Sequence, residues 1–167
     1  MASTLPELVY LSLGSNLGDR AANLRAAMAR LRQAGSVKAT SSFYESEPVD
    51  FRDQPWFLNC VISLETGKPP RDLLAHAFAI EEEMGRQRTR EKGPRIIDID
   101  ILLYGGRVID EPGLKIPHPA MHERRFVLAP LAEIAPGVLH PVTRKTAHQL
   151  LTELPPGQRV QILRPEG

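Results

Sequence analysis

The chain has 167 residues, 42% of them hydrophobic and 25% charged, a balance that suits one soluble domain over residues 1–167 with a sizeable core. Twenty-one basic and 20 acidic side chains leave a formal net charge of +1, which argues against a wholesale polyanion binder. Any electrostatic message must therefore come from local clusters.

The opening stretch MASTLPELVYLSLGS has no basic leader, and nothing after it is apolar for long enough to span a membrane, so a cytoplasmic protein is expected. Within it, ELVYLSLGS reads as a first strand running into a glycine. LGDRAANLRAAMARLRQAG reads as a helix, with Leu24, Met28 and Leu31 on one stripe, Asp19 near its start and Gly35 past its end. SVKATSSFYESEPV alternates as a second strand, and FLNCVISLET makes a third. The lone cysteine, Cys60, lies in that third strand and reads as a small buried hydrophobe. PPRDLLAHAFAIEEEMG is a second helix, with prolines before it and Gly85 after it. RIIDIDILLYG is the fourth strand. The order βαββαβ is that of an α+β, ferredoxin-like core, a mainly antiparallel sheet with two helices on one face. From about Gly106 a hairpin, short helices and a terminal strand RVQIL are expected.

The fourth strand carries an oddity. Asp is among the poorest strand formers, yet Asp98 and Asp100 sit mid-strand. Residues two apart in a strand point to the same side, so Ile97, Ile99, Ile101 and Leu103 are expected to face the core and both carboxylates the other way. At about 6.5 Å and an effective dielectric of about 20, the pair repels by roughly 2.5 kcal/mol. Water or a cation must relieve that. A bare D-x-D fits a wet strand face as well as a site for a hard cation such as Mg²⁺, which takes a few carboxylates plus substrate phosphates.

The neighbours shift the balance. GRQRTREKGPR upstream holds Arg86, Arg88, Arg90, Lys92 and Arg95 against one acid, Glu91. PHPAMHERRF downstream adds His118, His122, Arg124 and Arg125. Acids flanked by guanidiniums suit a metal-chelated polyphosphate, gripped bidentately by Arg. Phosphoryl transfer needs little more than that positioning and neutralisation. The Gly85–Gly93 segment, rich in charge and poor in apolar anchors, reads as a lid that orders on nucleotide. LGSNLGDR lacks both G-K-[ST] and G-x-G-x-x-G and reads as a turn and helix cap. In DQPWFLNCV, Trp56, Phe57 and Asn59 adjoin in a chain only 5% aromatic. Phe57 and Asn59 share a strand face, which suits either core packing or a flat heterocycle with a polar rim.

The segments GSNLGD, SSFYESEP, DQPWFLN, GPRIIDIDILLYG and IPHPAMHERRFVLAPLAEIAP resemble the 6-hydroxymethyl-7,8-dihydropterin pyrophosphokinase family of folate biosynthesis, in order and to about Pro141. The resemblance implies a ferredoxin-like domain that moves the β,γ-diphosphate of ATP onto the pterin hydroxymethyl group and releases AMP. It implies that Asp98 and Asp100 hold two Mg²⁺ ions, with Arg86 and Arg95 clamping the moving diphosphate. His118 and Arg124 would meet ATP phosphates, and Arg88, Ile101 and Leu114 would border the nucleotide. Phe57 and Phe126 would sandwich the pterin, while Asn59 and the backbone near Ser46 and Val49 read its edge. Glu81 would lie near the metal site, and Asp100 would accept the hydroxyl proton. Partners would be ATP and the pterin, with neither nucleic acid nor membrane, and the protein is expected to be a monomer.

Some positions depart from the family pattern. Lys92 stands where many members have a tryptophan before Gly-Pro-Arg. Thr89, Pro119 and Gly113 replace a lysine, a tyrosine and a basic residue. Two other classes compete: a βαββαβ RNA binder, which would present aromatics rather than acids on the sheet, and another D-x-D metal enzyme such as a nuclease.

Overall fold

The computed structural model describes residues 5–48, 53–85 and 95–163. Its strands in chain order are β1 (Glu7–Ser15), β2 (Ser36–Thr40), β3 (Tyr44–Ser46), β4 (Phe57–Thr66), β5 (Asp98–Tyr104), β6 (Ile109–Glu111), β7 (Leu114–Ile116) and β8 (Val160–Ile162). The main sheet runs β5-β1-β4-β3-β8, with β2 also paired to β4, and every pairing in it is antiparallel. This is the expected ferredoxin-like arrangement. The last strand in the chain, β8, extends it at the edge. The small hairpin β6–β7 turns at Pro112 and Gly113, whose φ of +78° favours glycine.

Two helices cover one face. Helix α1 (Arg20–Leu31) begins at Asp19, whose carboxylate accepts from the Ala22 N–H at 3.1 Å. Helix α2 (Pro70–Glu83) opens on a proline, which has no N–H to satisfy, and is followed by Gly85 at φ +91°. Leu24, Met28 and Leu31 of α1 and Leu73, Ala77 and Ile80 of α2 pack on Val9, Leu11 and Leu13 of β1, with Ile97, Ile99 and Ile101 in the same cluster. Cys60 is fully buried there, and burial pushes its thiol pKa up to about 12, so it is a packing residue.

The fourth strand departs from simple alternation. Tyr10 pairs with Leu103 but Leu11 pairs with Ile101, so Leu102 is a bulge residue. One extra residue shifts the phase of the side chains. Leu103, expected beside the isoleucines, is instead buried on the opposite face with Leu102, Tyr10 and Val61.

The stretch read as one second strand is two. Ser41 pairs by N–H to Val61 O and takes the Val61 N–H on its hydroxyl, both at 2.9 Å. The Ser42 N–H then leaves the ladder for the Glu133 carboxylate at 3.0 Å. Glu133 also accepts from Tyr44 Oη at 2.7 Å. That carboxylate belongs to helix α3 (Arg125–Ile134) and pins it to the second face, where Val127 and Leu131 cover Tyr10, Val61, Leu102 and Leu103. Helix α4 (Ala147–Glu153), capped by the reciprocal Thr146–Gln149 pair, packs beside α3. Within the second cluster α3 lies over the end of the face bearing Tyr10 and Leu103; Ser12, Gly14, Phe57, Asn59, Asp98 and Asp100 continue the same face beyond it. Among the described residues no helix is long and apolar enough to cross a membrane.

Candidate active site

The register puts the aspartates into context. Asp98 lies opposite Gly14 and Asp100 opposite Ser12, while Gly14 and Ser12 lie opposite Asn59 and Val61 on the other side. A row thus crosses three strands: carboxylate, glycine, amide. A Cβ on Gly14, at its centre, would fall 2.8 Å from Asn59 Oδ1, so any larger residue there would have to displace the Asn59 amide. Asn59 is buried and donates from Nδ2 to Ser46 Oγ at 2.7 Å. It therefore ties β4 to β3 on the sheet face that also carries Phe57.

Arg95, just before β5, pairs through Nη1 with Asp98 Oδ2 at 2.6 Å. Its backbone is fixed by Asn16: the Asn16 N–H donates to Arg95 O at 3.0 Å and the Arg95 N–H to Asn16 Oδ1 at 2.7 Å. Asn16 Nδ2 also donates to Gln54 Oε1 at 2.8 Å and to Pro55 O at 3.0 Å. One buried amide thus joins the loop after β1 to the segments that precede β4 and β5. Sequence reading took this asparagine as part of a turn. Its nearness to Gln54 and Arg95 comes only from folding.

Two clefts flank the aspartates. The first, of about 550 Å³, is lined by Ser46, Glu47, Pro48, Gln54, Phe57, Arg95, Asp98, Asp100, Arg124, Phe126 and Gln158. The second, of about 710 Å³, runs along the outer edge of β5 and is lined by Leu74, Phe78, Ile99, Asp100, Ile101, Gly113, Leu114, Lys115, His118 and Pro119. Asp100 belongs to both. Of the residues expected around the pterin, Ser46, Phe57 and Phe126 line the first cleft, whereas Asn59 is buried against Ser46 and is not part of its lining. Of those expected around ATP, Ile101, Leu114 and His118 line the second, whereas Arg124 lines the first, its guanidinium 5.6 Å from the Phe126 ring centre. Arg86, Arg88, Val49, Thr89, Lys92 and the lid Gly85–Gly93 beyond its first glycine lie outside the described residues.

His118 accepts the Ala120 N–H on Nδ1 at 3.2 Å, which leaves the proton of the neutral ring on Nε2. Burial lowers its pKa, Asp100 opposes that shift and Arg124 adds to it. Glu81 is buried on α2 and its Oε2 accepts from the Ile99 N–H at 2.8 Å, on the edge of β5 away from β1. The basic cluster after β7 divides. His118 and Arg124 reach the clefts, while His122 lies edge-on to His140 at 6.0 Å and Arg125 donates to Pro155 O.

Among the described residues no group of three or more His, Cys, Asp or Glu side chains is placed to enclose a metal ion. Two half-buried carboxylates on one strand face nonetheless fit Mg²⁺, which completes its shell with water and substrate phosphates. Sequence reading missed Leu74 and Phe78, whose helical stripe looks like core. It also missed Gln158, which carries no motif.

A family model described as 7,8-dihydro-6-hydroxymethylpterin-pyrophosphokinase (HPPK) matches residues 10–136. The chain is 48% identical over 129 residues to the 2-amino-4-hydroxy-6-hydroxymethyldihydropteridine pyrophosphokinase of Bacillus subtilis, covering 76% of this chain and 77% of that protein. It is 43% identical over 158 residues to the folic acid synthesis protein FOL1 of Dictyostelium discoideum, covering 95% of this chain but 24% of that protein. The chain thus spans about a quarter or less of the folic acid synthesis proteins that it matches. A solved HPPK-DHPS structure from Plasmodium falciparum superimposes with a TM-score of 0.72 at 19% identity, over 89% of this chain and 44% of that one, a likeness of fold.

Proposed function

The chain belongs to the 7,8-dihydro-6-hydroxymethylpterin-pyrophosphokinase family, and on that premise we propose that it transfers the β,γ-diphosphate of ATP to the hydroxymethyl group of 6-hydroxymethyl-7,8-dihydropterin. The observation that carries this reading is Asp100, shared by two clefts of different character. One has an aromatic plate and polar walls, suited to a pterin. The other is walled by Leu74, Phe78, Ile101 and Leu114, suited to a purine.

In this mechanism Phe57 and Phe126 hold the pterin ring, and Leu74, Phe78 and Leu114 hold the nucleobase. The triphosphate then crosses Asp100 toward Arg95 and Arg124. Mg²⁺ held by Asp98 and Asp100 would supply charge neutralisation of the polyphosphate and polarisation at phosphorus. Arg95, oriented by Asp98 and by the Asn16 bridge, meets the oxygens of the moving diphosphate. Neutral His118 donates from Nε2 to a phosphate oxygen. The hydroxymethyl oxygen attacks the β-phosphorus, the bond from that phosphorus to the α–β bridging oxygen breaks, and AMP leaves. Asp100 takes the hydroxyl proton, and the two clefts exclude water by holding both substrates. The ATP and Mg²⁺ requirement, a single catalytic unit over 1–167 and action as a monomer belong to the same proposal.

The test is incubation with ATP, Mg²⁺ and the reduced pterin, followed by nucleotide chromatography. AMP should appear only when pterin is present, one molecule for each pterin consumed. ADP as the stoichiometric product would replace the proposal by simple phosphoryl transfer.

A further inference from the structure

We propose that Gln158, carried by the segment between α4 and β8, is a substrate-positioning residue of the pterin cleft; the inference rests on the assignment of the Phe57 cleft to the pterin. Gln158 lies outside the family match, which ends at residue 136. Yet it lines the same cleft as Phe57, Phe126 and Arg95.

Its position is built rather than incidental. Gln158 Nε2 donates to the Glu47 carbonyl at 2.6 Å. The next residue exchanges two bonds with the same partner: the Arg159 N–H donates to Glu47 Oε1 at 2.8 Å, and the Glu47 N–H donates to Arg159 O at 3.1 Å. From there β8 pairs in register with β3, Val160 opposite Ser46 and Ile162 opposite Tyr44. The Arg159 guanidinium lies 5.2 Å from the ring centre of Trp56, the residue before Phe57. The segment from Gln158 to Ile162 is thereby clamped to β3 and to the residue that precedes β4.

A carboxamide has two N–H donors and one carbonyl acceptor. The bond to Glu47 engages one donor and fixes the plane of the group. A second donor and the carbonyl acceptor remain, in a cleft that Phe57 and Phe126 also line. That pair matches an amide-like edge of a flat heterocycle and has no counterpart in a triphosphate, which offers acceptors alone. Gln158 is therefore a determinant of pterin affinity and not of nucleotide affinity.

Steady-state kinetics of Gln158→Ala and Gln158→Glu test this. The second keeps the shape but has no N–H for the Glu47 carbonyl. Each should raise the pterin KM about ten-fold, the scale of one lost buried polar contact. Each should leave the ATP KM and kcat within about two-fold of the parent, with at most a small fall in melting temperature, since the backbone pairing of β8 with β3 remains. A pterin KM within about two-fold of the parent in both variants overturns the proposal. So does an equal rise in both KM values together with early melting, which marks a strap that serves only the fold. If the alanine variant does not fold, the nearly isosteric glutamate variant carries the test. Phe57→Ala is measured alongside. If it too leaves the pterin KM unchanged, the cleft assignment itself fails; if it raises that KM while the Gln158 variants do not, only the role of Gln158 fails.

Discussion

At the scale of single residues, the two aspartates are the clearest case of local chemistry at odds with local structure. A strand disfavours Asp, and two carboxylates on one face repel. Among the described residues, a glycine and a serine lie across the ladder from them and the Arg95 guanidinium pairs with Asp98. Asp100→Asn keeps the shape and removes a charge. Without metal the melting temperature should hold or rise slightly, since a repulsion of roughly 2.5 kcal/mol at most is relieved. The single-turnover rate with saturating ATP, Mg²⁺ and pterin should fall by about two orders of magnitude or more. A variant that melts early but turns over normally would assign the aspartates to the fold. Gly14 makes a second residue-scale point. Gly14→Ala would place a methyl 2.8 Å from Asn59 Oδ1 and 3.7 Å from the Phe57 ring, displacing the side chains beside the proposed pterin cleft. Its pterin affinity should drop more than its ATP affinity in parallel binding titrations.

Elements are held to one another by a few polar anchors. Glu133 takes the N–H and hydroxyl of Ser42 and the hydroxyl of Tyr44, fixing α3 where β2 gives way to β3. Glu133 is exposed, so in Glu133→Ala water meets most of those donors and stability to urea should fall by about 1 kcal/mol. A change below about 0.5 kcal/mol would mean that apolar packing alone seats the helix. The turn before α4 rests on His140, whose Nδ1 accepts from the Val142 and Thr143 N–H groups at 3.2 and 3.1 Å. Burial, with His122 beside it, holds its pKa below the ordinary value. The folded state therefore binds this proton more weakly than the unfolded chain does. The stabilisation is fully present above the unfolded value of about 6.5 and is lost as pH falls below it. His140→Asn, which keeps an acceptor without titrating, should show a smaller drop in melting temperature between pH 7.5 and pH 5.5 than the parent. Equal drops would remove His140 from the acid sensitivity.

For the whole molecule, the sheet is a partition. One face is closed by α1 and α2; the other is half closed by α3, and the site occupies the remainder. Because the two clefts share only Asp100, Phe57→Ala and Phe78→Ala should act separately, the first on pterin affinity and the second on ATP affinity. Their effects should add within about 0.5 kcal/mol in the double variant, as measured by calorimetric titration of each ligand. Strong non-additivity would mean that the clefts are mechanically coupled. Much of this was legible beforehand. The βαββαβ order follows from local periodicity, from the Asp19 cap and from the prolines and glycine around α2. The aspartate pair follows from the two-residue period of a strand, and the motifs that resemble the family lie close together in sequence. Other features depend on contacts between distant segments. The phase of Leu103 was set by a bulge against β1, and the break at Ser41–Ser42 by Glu133, some ninety residues away. Asn16 bridges loops, and Gln158 enters the cleft because β8 completes an edge opened more than a hundred residues earlier. Periodicity and capping are short-range and can be read along one strand of text. A hydrogen bond between residues 47 and 158 exists only once the chain has closed on itself.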